Sequence, residues 1–162
     1  MAATDLKPWQ PDWAGRLAGH GCVLCDLIGV ADNDWGRRFF SGQFADAYLP
    51  KTGSIGGYTV VVWNGRHVAE PTLLTPAEAG GFWQDMLRVG AALEQVIEQA
   101  KMNYQLLGNT VPHLHAHVVP RPRLDPAPHR PLPWSYLDEG RQDEHVVAGY
   151  AGRLAAALGQ SA

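Results

Sequence analysis

Three histidines stand at alternate positions in the stretch "HLHAHVV", at His113, His115 and His117, interleaved with Leu114, Ala116 and Val118. On a strand, residues two apart share a face, so the imidazoles form one row and the apolar side chains the opposite one. Successive rings of such a row sit roughly 7 Å apart. Imidazole changes charge near neutral pH, and its nitrogens attack phosphorus, move protons or bind metal. The residues leave three readings open: a solvated strand face, a three-histidine metal site, and a nucleophile flanked by acid–base groups. A second reactive pair lies upstream. Cys22 and Cys25 form a Cys-x-x-Cys, a spacing used by plain buried residues, by redox couples and by zinc sites.

These groups must be positioned by elements that the sequence also marks. "FADAYLP" (44–50) and "YTVVVWN" (58–64) are rich in β-branched and aromatic residues and read as strands, joined by the glycine-rich "KTGSIGG". Thr75 and Glu78 match a capping box with Pro76 at the first helical position. Phe82, Met86, Val89, Leu93, Val96 and Ala100 then recur at helical spacing, predicting one long helix to about Lys101. "NYQLLG" (103–108) and "HLHAHVV" (113–119) are two further strands. Six prolines in residues 120–134 predict an extended surface run. A last helix is expected from about Asp143, with Val147, Tyr150, Ala151, Leu154 and Leu158 on one side. Strands, a long helix and strands again predict an α+β domain with helix covering one sheet face. The apolar row Leu114, Ala116 and Val118 is expected under that helix, and the histidine row in a cleft.

Length and composition bound the function. A chain of 162 residues fits one domain. A net charge of −3 gives no broad footprint for nucleic acid, so phosphate would be held by local donors. No run of 18 apolar residues occurs, and "MAATDLKPWQPDW" lacks the basic and apolar regions of a leader; neither a membrane span nor a signal peptide is expected. A cytoplasmic, reducing setting follows as the default, which disfavours a structural disulfide between Cys22 and Cys25.

Together, the stretches resemble the histidine triad (HIT) superfamily, whose signature is His-φ-His-φ-His-φ-φ with φ hydrophobic. Residues 113–119 satisfy it at every position. "GCVLC" resembles the Cys-x-x-Cys of many HIT domains, "GRHVAE" the histidine segment before their long helix, and "PHRPLPW" the tail of a bacterial subgroup. The resemblance implies a HIT-like fold: an antiparallel sheet with one long helix packed on a face, and a C-terminal helix. It divides the chain into an irregular N-terminal arm (1–19), a HIT domain (20–136) and a C-terminal helical extension (137–162).

The resemblance also implies an activity. A nucleotide conjugate would be split at its α-phosphate through a covalent nucleotidyl-histidine, with His115 the nucleophile. The backbone carbonyl of His113 would orient it, and His117 would help the leaving group depart. Gly108, Asn109, Thr110 and Asn103 align with phosphate or ribose contacts. Cys22, Cys25, His67 and His113 align with the ligands of a structural zinc, with His20 a distant reserve; His129 and His145 are read as surface residues. Dinucleoside polyphosphates, nucleoside phosphoramidates and aminoacyl-adenylates are the candidate substrates. A nucleotidyltransferase, a low-turnover nucleotide sensor and a catalytic zinc hydrolase are the alternatives, and a homodimer is expected. The chain departs from the family at Gly57-Tyr58, where many HIT domains carry Gly-His and use that histidine to support the nucleophile. For the base pocket, Phe44 and Leu49 are the candidates.

Overall fold

The computed structural model describes residues 6–160. Five strands form one antiparallel sheet: β1 (Gly36–Ser41), β2 (Ala45–Pro50), β3 (Thr59–Trp63), β4 (Lys101–Gln105) and β5 (His115–Arg121), in the spatial order β1-β2-β3-β5-β4. Two longer helices, α3 (Pro76–Val96) and α5 (Glu144–Ala157), cover one face of it. Three short ones, α1 (Trp13–Leu17), α2 (Val23–Leu27) and α4 (Ser135–Asp138), complete the chain. The α+β class and the helix-covered antiparallel sheet expected from the sequence are both present.

Alternation along β5 organises the layers. Ala116 and Val118, with Leu114 just before the strand, join Phe82, Met86, Val89 and Leu93 of α3 in the larger core. The opposite face carries His115, His117 and Val119, the last packed with Tyr48, Tyr58, Val60 and Val62. The helix α3 starts with the full capping box, Thr75 accepting from Glu78 N while the Glu78 carboxylate accepts from Thr75 N. From α5, Val147, Ala151 and Leu154 enter the same core.

Several boundaries differ from the sequence reading. Helix α3 stops at Val96, short of Lys101, because Ile97 turns extended (φ −121°, ψ 127°) and Ala100 N already donates to Arg121 O at 2.8 Å. Strand β4 accordingly starts two residues early, at Lys101, and ends at Gln105. Strand β5 begins at His115, leaving His113 in the approach to it. Strand β1 escaped the reading altogether: a bulge between Arg38 and Phe40 breaks its period, so two adjacent phenylalanines are both buried. The arm is not irregular throughout, since α1 lies inside it with Trp9 stacked on Trp13 at 4.6 Å; residues 1–5 of that arm lie outside the described residues.

Candidate active site

His115 and His117 form the floor of a cleft of about 710 Å³, a volume suited to a nucleotide. The loop Gly108–Thr110 makes one wall, with Gly108 at φ +70°, a conformation that favours glycine. Leu24 and Leu27 of α2 and Trp35 make an apolar wall, and Trp134 stands near His117 with ring centroids 5.0 Å apart.

The hydrogen bonds give each imidazole a distinct state. Nδ1 of His115 lies 2.6 Å from the carbonyl of His113. A carbonyl only accepts, so Nδ1 carries the proton, and Nε2 of the neutral ring is left with a free lone pair. Burial holds the His115 imidazole below its ordinary pKa and favours that neutral form. Burial, helped by His115, lowers His117 further, to about 3. The two rings meet edge to face at 4.8 Å, nearer than the spacing expected along a flat strand. Nδ1 of His117 pairs with the Tyr58 hydroxyl at 2.7 Å. Burial raises the Tyr58 phenol well above its usual range, so the hydroxyl stays neutral.

Beside the cleft, Cys22, Cys25, His67 and His113 converge, their ligand atoms all within 4.8 Å of one another. A tetrahedral zinc with metal–sulfur distances of about 2.3 Å and metal–nitrogen distances of about 2.0–2.1 Å sets sulfur roughly 3.5 Å from nitrogen. Here Cys22 Sγ and Cys25 Sγ lie 3.4 Å from His113 Nδ1, and Cys25 Sγ lies 3.5 Å from His67 Nδ1. The outer nitrogens are also engaged, His113 Nε2 with Trp63 O at 2.8 Å and His67 Nε2 with Leu17 O at 3.3 Å. Metal-bound histidines are oriented by bonds of this kind. Burial and the neighbouring Cys22 push the Cys25 thiol up to about 11, a cost that a divalent cation reverses. The donor set therefore fits zinc.

Comparison with known proteins follows the same lines. Residues 47–124 match the HIT domain family model. Among solved structures, a histidine triad protein from Bradyrhizobium japonicum is 22% identical with a TM-score of 0.67, over 76% of this chain and 91% of that one. One from Marinobacter aquaeolei is 22% identical with a TM-score of 0.66, over 79% and 92%. A zinc-bound histidine triad family protein from Mycobacterium smegmatis is 21% identical with a TM-score of 0.64, over 86% and 94%. At these identities the likeness is one of fold. Among the curated proteins, none matches the chain in sequence. The HIT match and the shared fold support the histidine triad superfamily.

Of the residues singled out by the resemblance to HIT proteins, the structure gathers Gly108, Asn109, Thr110, His115 and His117 in the cleft, with His113 just behind it. Asn103 does not join them. Its side-chain oxygen accepts from the Arg121 guanidinium at 2.7 Å, and it borders a second cavity shared with His129. Phe44 and Leu49 also lie elsewhere, packed into the helix-side core: Leu49 shares the β2 face of Ala45 and Ala47, and Phe44 precedes the strand. Tyr58 meets His117, not the nucleophile that the family's extra histidine was expected to support. His20 and His145 belong to neither group. One contact had no sequence signal: Arg16 of α1 donates to Thr110 O at 3.3 Å and ties the arm to the cleft loop.

The lowered His117 pKa has a consequence for stability. Between about pH 6.5 and about 3 the unfolded chain binds a proton that the folded one refuses, so stability is full above that window and falls as the pH drops through it. A thermal melt series from about pH 7.5 to about 4.5 should show a fall that is shallower in a His117→Asn variant, by up to about 1.4 kcal/mol per pH unit. Identical slopes would locate the effect in other groups.

Proposed function

We propose that the chain is a nucleotide hydrolase that cleaves nucleotide conjugates at the α-phosphate through a nucleotidyl-histidine on His115. The observation that carries the reading is the His115 Nδ1–H bond to the His113 carbonyl, which leaves Nε2 as a lone-pair nucleophile in a nucleotide-sized cleft. In the first step Nε2 forms a bond to phosphorus. The bond from phosphorus to the leaving atom breaks with its electron pair, and that atom takes a proton from the His117 imidazolium. Burial disfavours this charged form in the free cleft, whereas an adjacent phosphate anion favours it. In the second step water attacks phosphorus and gives a proton back to His117, while the phosphorus–nitrogen pair returns to His115. Amide and hydroxyl donors of Gly108–Thr110 face the phosphoryl oxygens without adding charge.

The same reading assigns zinc to Cys22, Cys25, His67 and His113. Bound there, the metal supplies a cross-link between the arm, the segment before α3 and the approach to β5. A reducing cytoplasm keeps both thiols available, and the described residues include no helix long and apolar enough to cross a membrane. A homodimer is also part of the reading, supported by the open edge of β4 and by Trp83 and Leu87, which stand exposed on α3.

Three measurements test these statements. Incubated with an adenosine phosphoramidate and a diadenosine polyphosphate, the protein should release AMP, and denatured protein should carry a nucleotidyl adduct on the 113–119 peptide. His115→Ala should lower release by at least about a thousandfold; AMP-free saturation by nucleotide would make the chain a sensor instead. Metal analysis should find about one zinc per chain, falling to near zero in Cys22→Ser; retention there would move the metal onto the histidine row. Sedimentation should give twice the 17.6 kDa chain mass, and a monomer would remove the dimer.

A further inference from the structure

The cleft lacks the charge that a polyphosphate calls for. Among the described residues lining it there is no Lys or Arg, and its one charged side chain is Asp138. Arg16, tied to the adjoining loop, is held by Asp12 and by the Thr110 carbonyl.

The place of Asp138 gives that charge a direction. Asp138 N donates to Trp134 O at 3.2 Å, so the two residues stand one helical turn apart on α4 and share a face. Both line the cleft. Trp134 lies against His117 and keeps 45% of its surface exposed. Asp138 is close enough to act electrostatically on the Tyr58 phenol, whose hydroxyl holds His117. Trp134 thus borders the His117 side of the cleft, with Asp138 one turn on in the same lining. Asp138 enters none of the ion pairs among the described residues.

An aromatic face beside an unpaired carboxylate is the chemistry that recognises an organic ammonium. We propose that Trp134 and Asp138 form a leaving-group subsite for an organic cation, so that the preferred substrates are nucleoside monophosphate conjugates of an amine bearing a second, positively charged nitrogen. The inference rests on the cleft being the nucleotide site described under the proposed function. On that reading the amine departs beside His117, and its ammonium group meets indole and carboxylate. A polyphosphate leaving group brings several negative charges to the same place, where Asp138 repels them and no fixed cation offsets them.

The test uses two isosteric adenosine phosphoramidates, one whose amine chain ends in trimethylammonium and one ending in tert-butyl, with diadenosine tetraphosphate and magnesium as the third substrate. The cationic conjugate should exceed the neutral one in kcat/KM by about three- to tenfold, and the tetraphosphate should be the poorest. In Asp138→Asn the cation-to-neutral ratio should fall to near one. Equal rates in the unaltered protein, a ratio that survives Asp138→Asn, or a preferred tetraphosphate overturns the subsite. If no conjugate yields AMP, hydrolysis at His115 fails as a reading, and calorimetric Kd values for the same isosteric pair still decide the subsite by the same ratio. If neither conjugate binds, the cleft is not the nucleotide site and both readings fall together.

Discussion

The hydrogen bond from His115 Nδ1 to the carbonyl of His113 is the interaction on which the site depends. It is a backbone acceptor, so it cannot be exchanged for a donor, and at 2.6 Å it fixes one tautomer of the ring. Everything that holds the His113 backbone therefore holds the orientation of the His115 ring and its free Nε2. The His113 side chain is itself pinned, with Nε2 on Trp63 O and Nδ1 among Cys22, Cys25 and His67. Leu114 N donates to Val68 O at 2.7 Å and Trp63 N donates to Leu114 O at 3.0 Å, which locks the next residue as well. The geometry of the His115 ring is thus set by the chain on both sides of it.

The sheet serves two layers at once through a single periodicity. Ala116 and Val118 are fully buried under α3, and this burial anchors the strand that presents His115 and His117 on its other side. A slip of one residue would bury imidazoles among Met86, Val89 and Leu93 and expose the apolar row, so register is strongly specified. The pairing of β5 with both β3 and β4 leaves it no edge of its own. His115 and His117 thus lie on an interior strand of the sheet.

Much of this was legible from residue order, and what was not has physical reasons. The histidine alternation, the capping box at Thr75 and the β-branched run at Thr59–Trp63 are local signals, and each element is present, with the end of α3 and the start of β5 shifted by a few residues. Strand β1 was hidden because its bulge destroys alternation. The helix α2 is too short to show a period, although its first turn is capped by Cys22 Sγ itself. Asn103 looked like a ligand contact because it is polar and close in sequence to the cleft loop, yet β4 turns its side chain onto Arg121. Trp134 closes a proline-rich run without periodicity and Asp138 lies just past it, so only the folded chain shows that Trp134 meets His117 and that both line the cleft.

The partner of His117 bears on how the cleft tolerates a change of charge. A carboxylate at Nδ1 would demand a proton there, and an amide N–H would forbid one. The neutral Tyr58 hydroxyl does neither, since it donates to a bare nitrogen and accepts from a protonated one after a rotation about its C–O bond. A change in the proton count of His117 then needs only the swing of one hydrogen, with no shift of ring, strand or wall. The hydrogen bond at Nδ1 can thus be kept in both charge states of the ring.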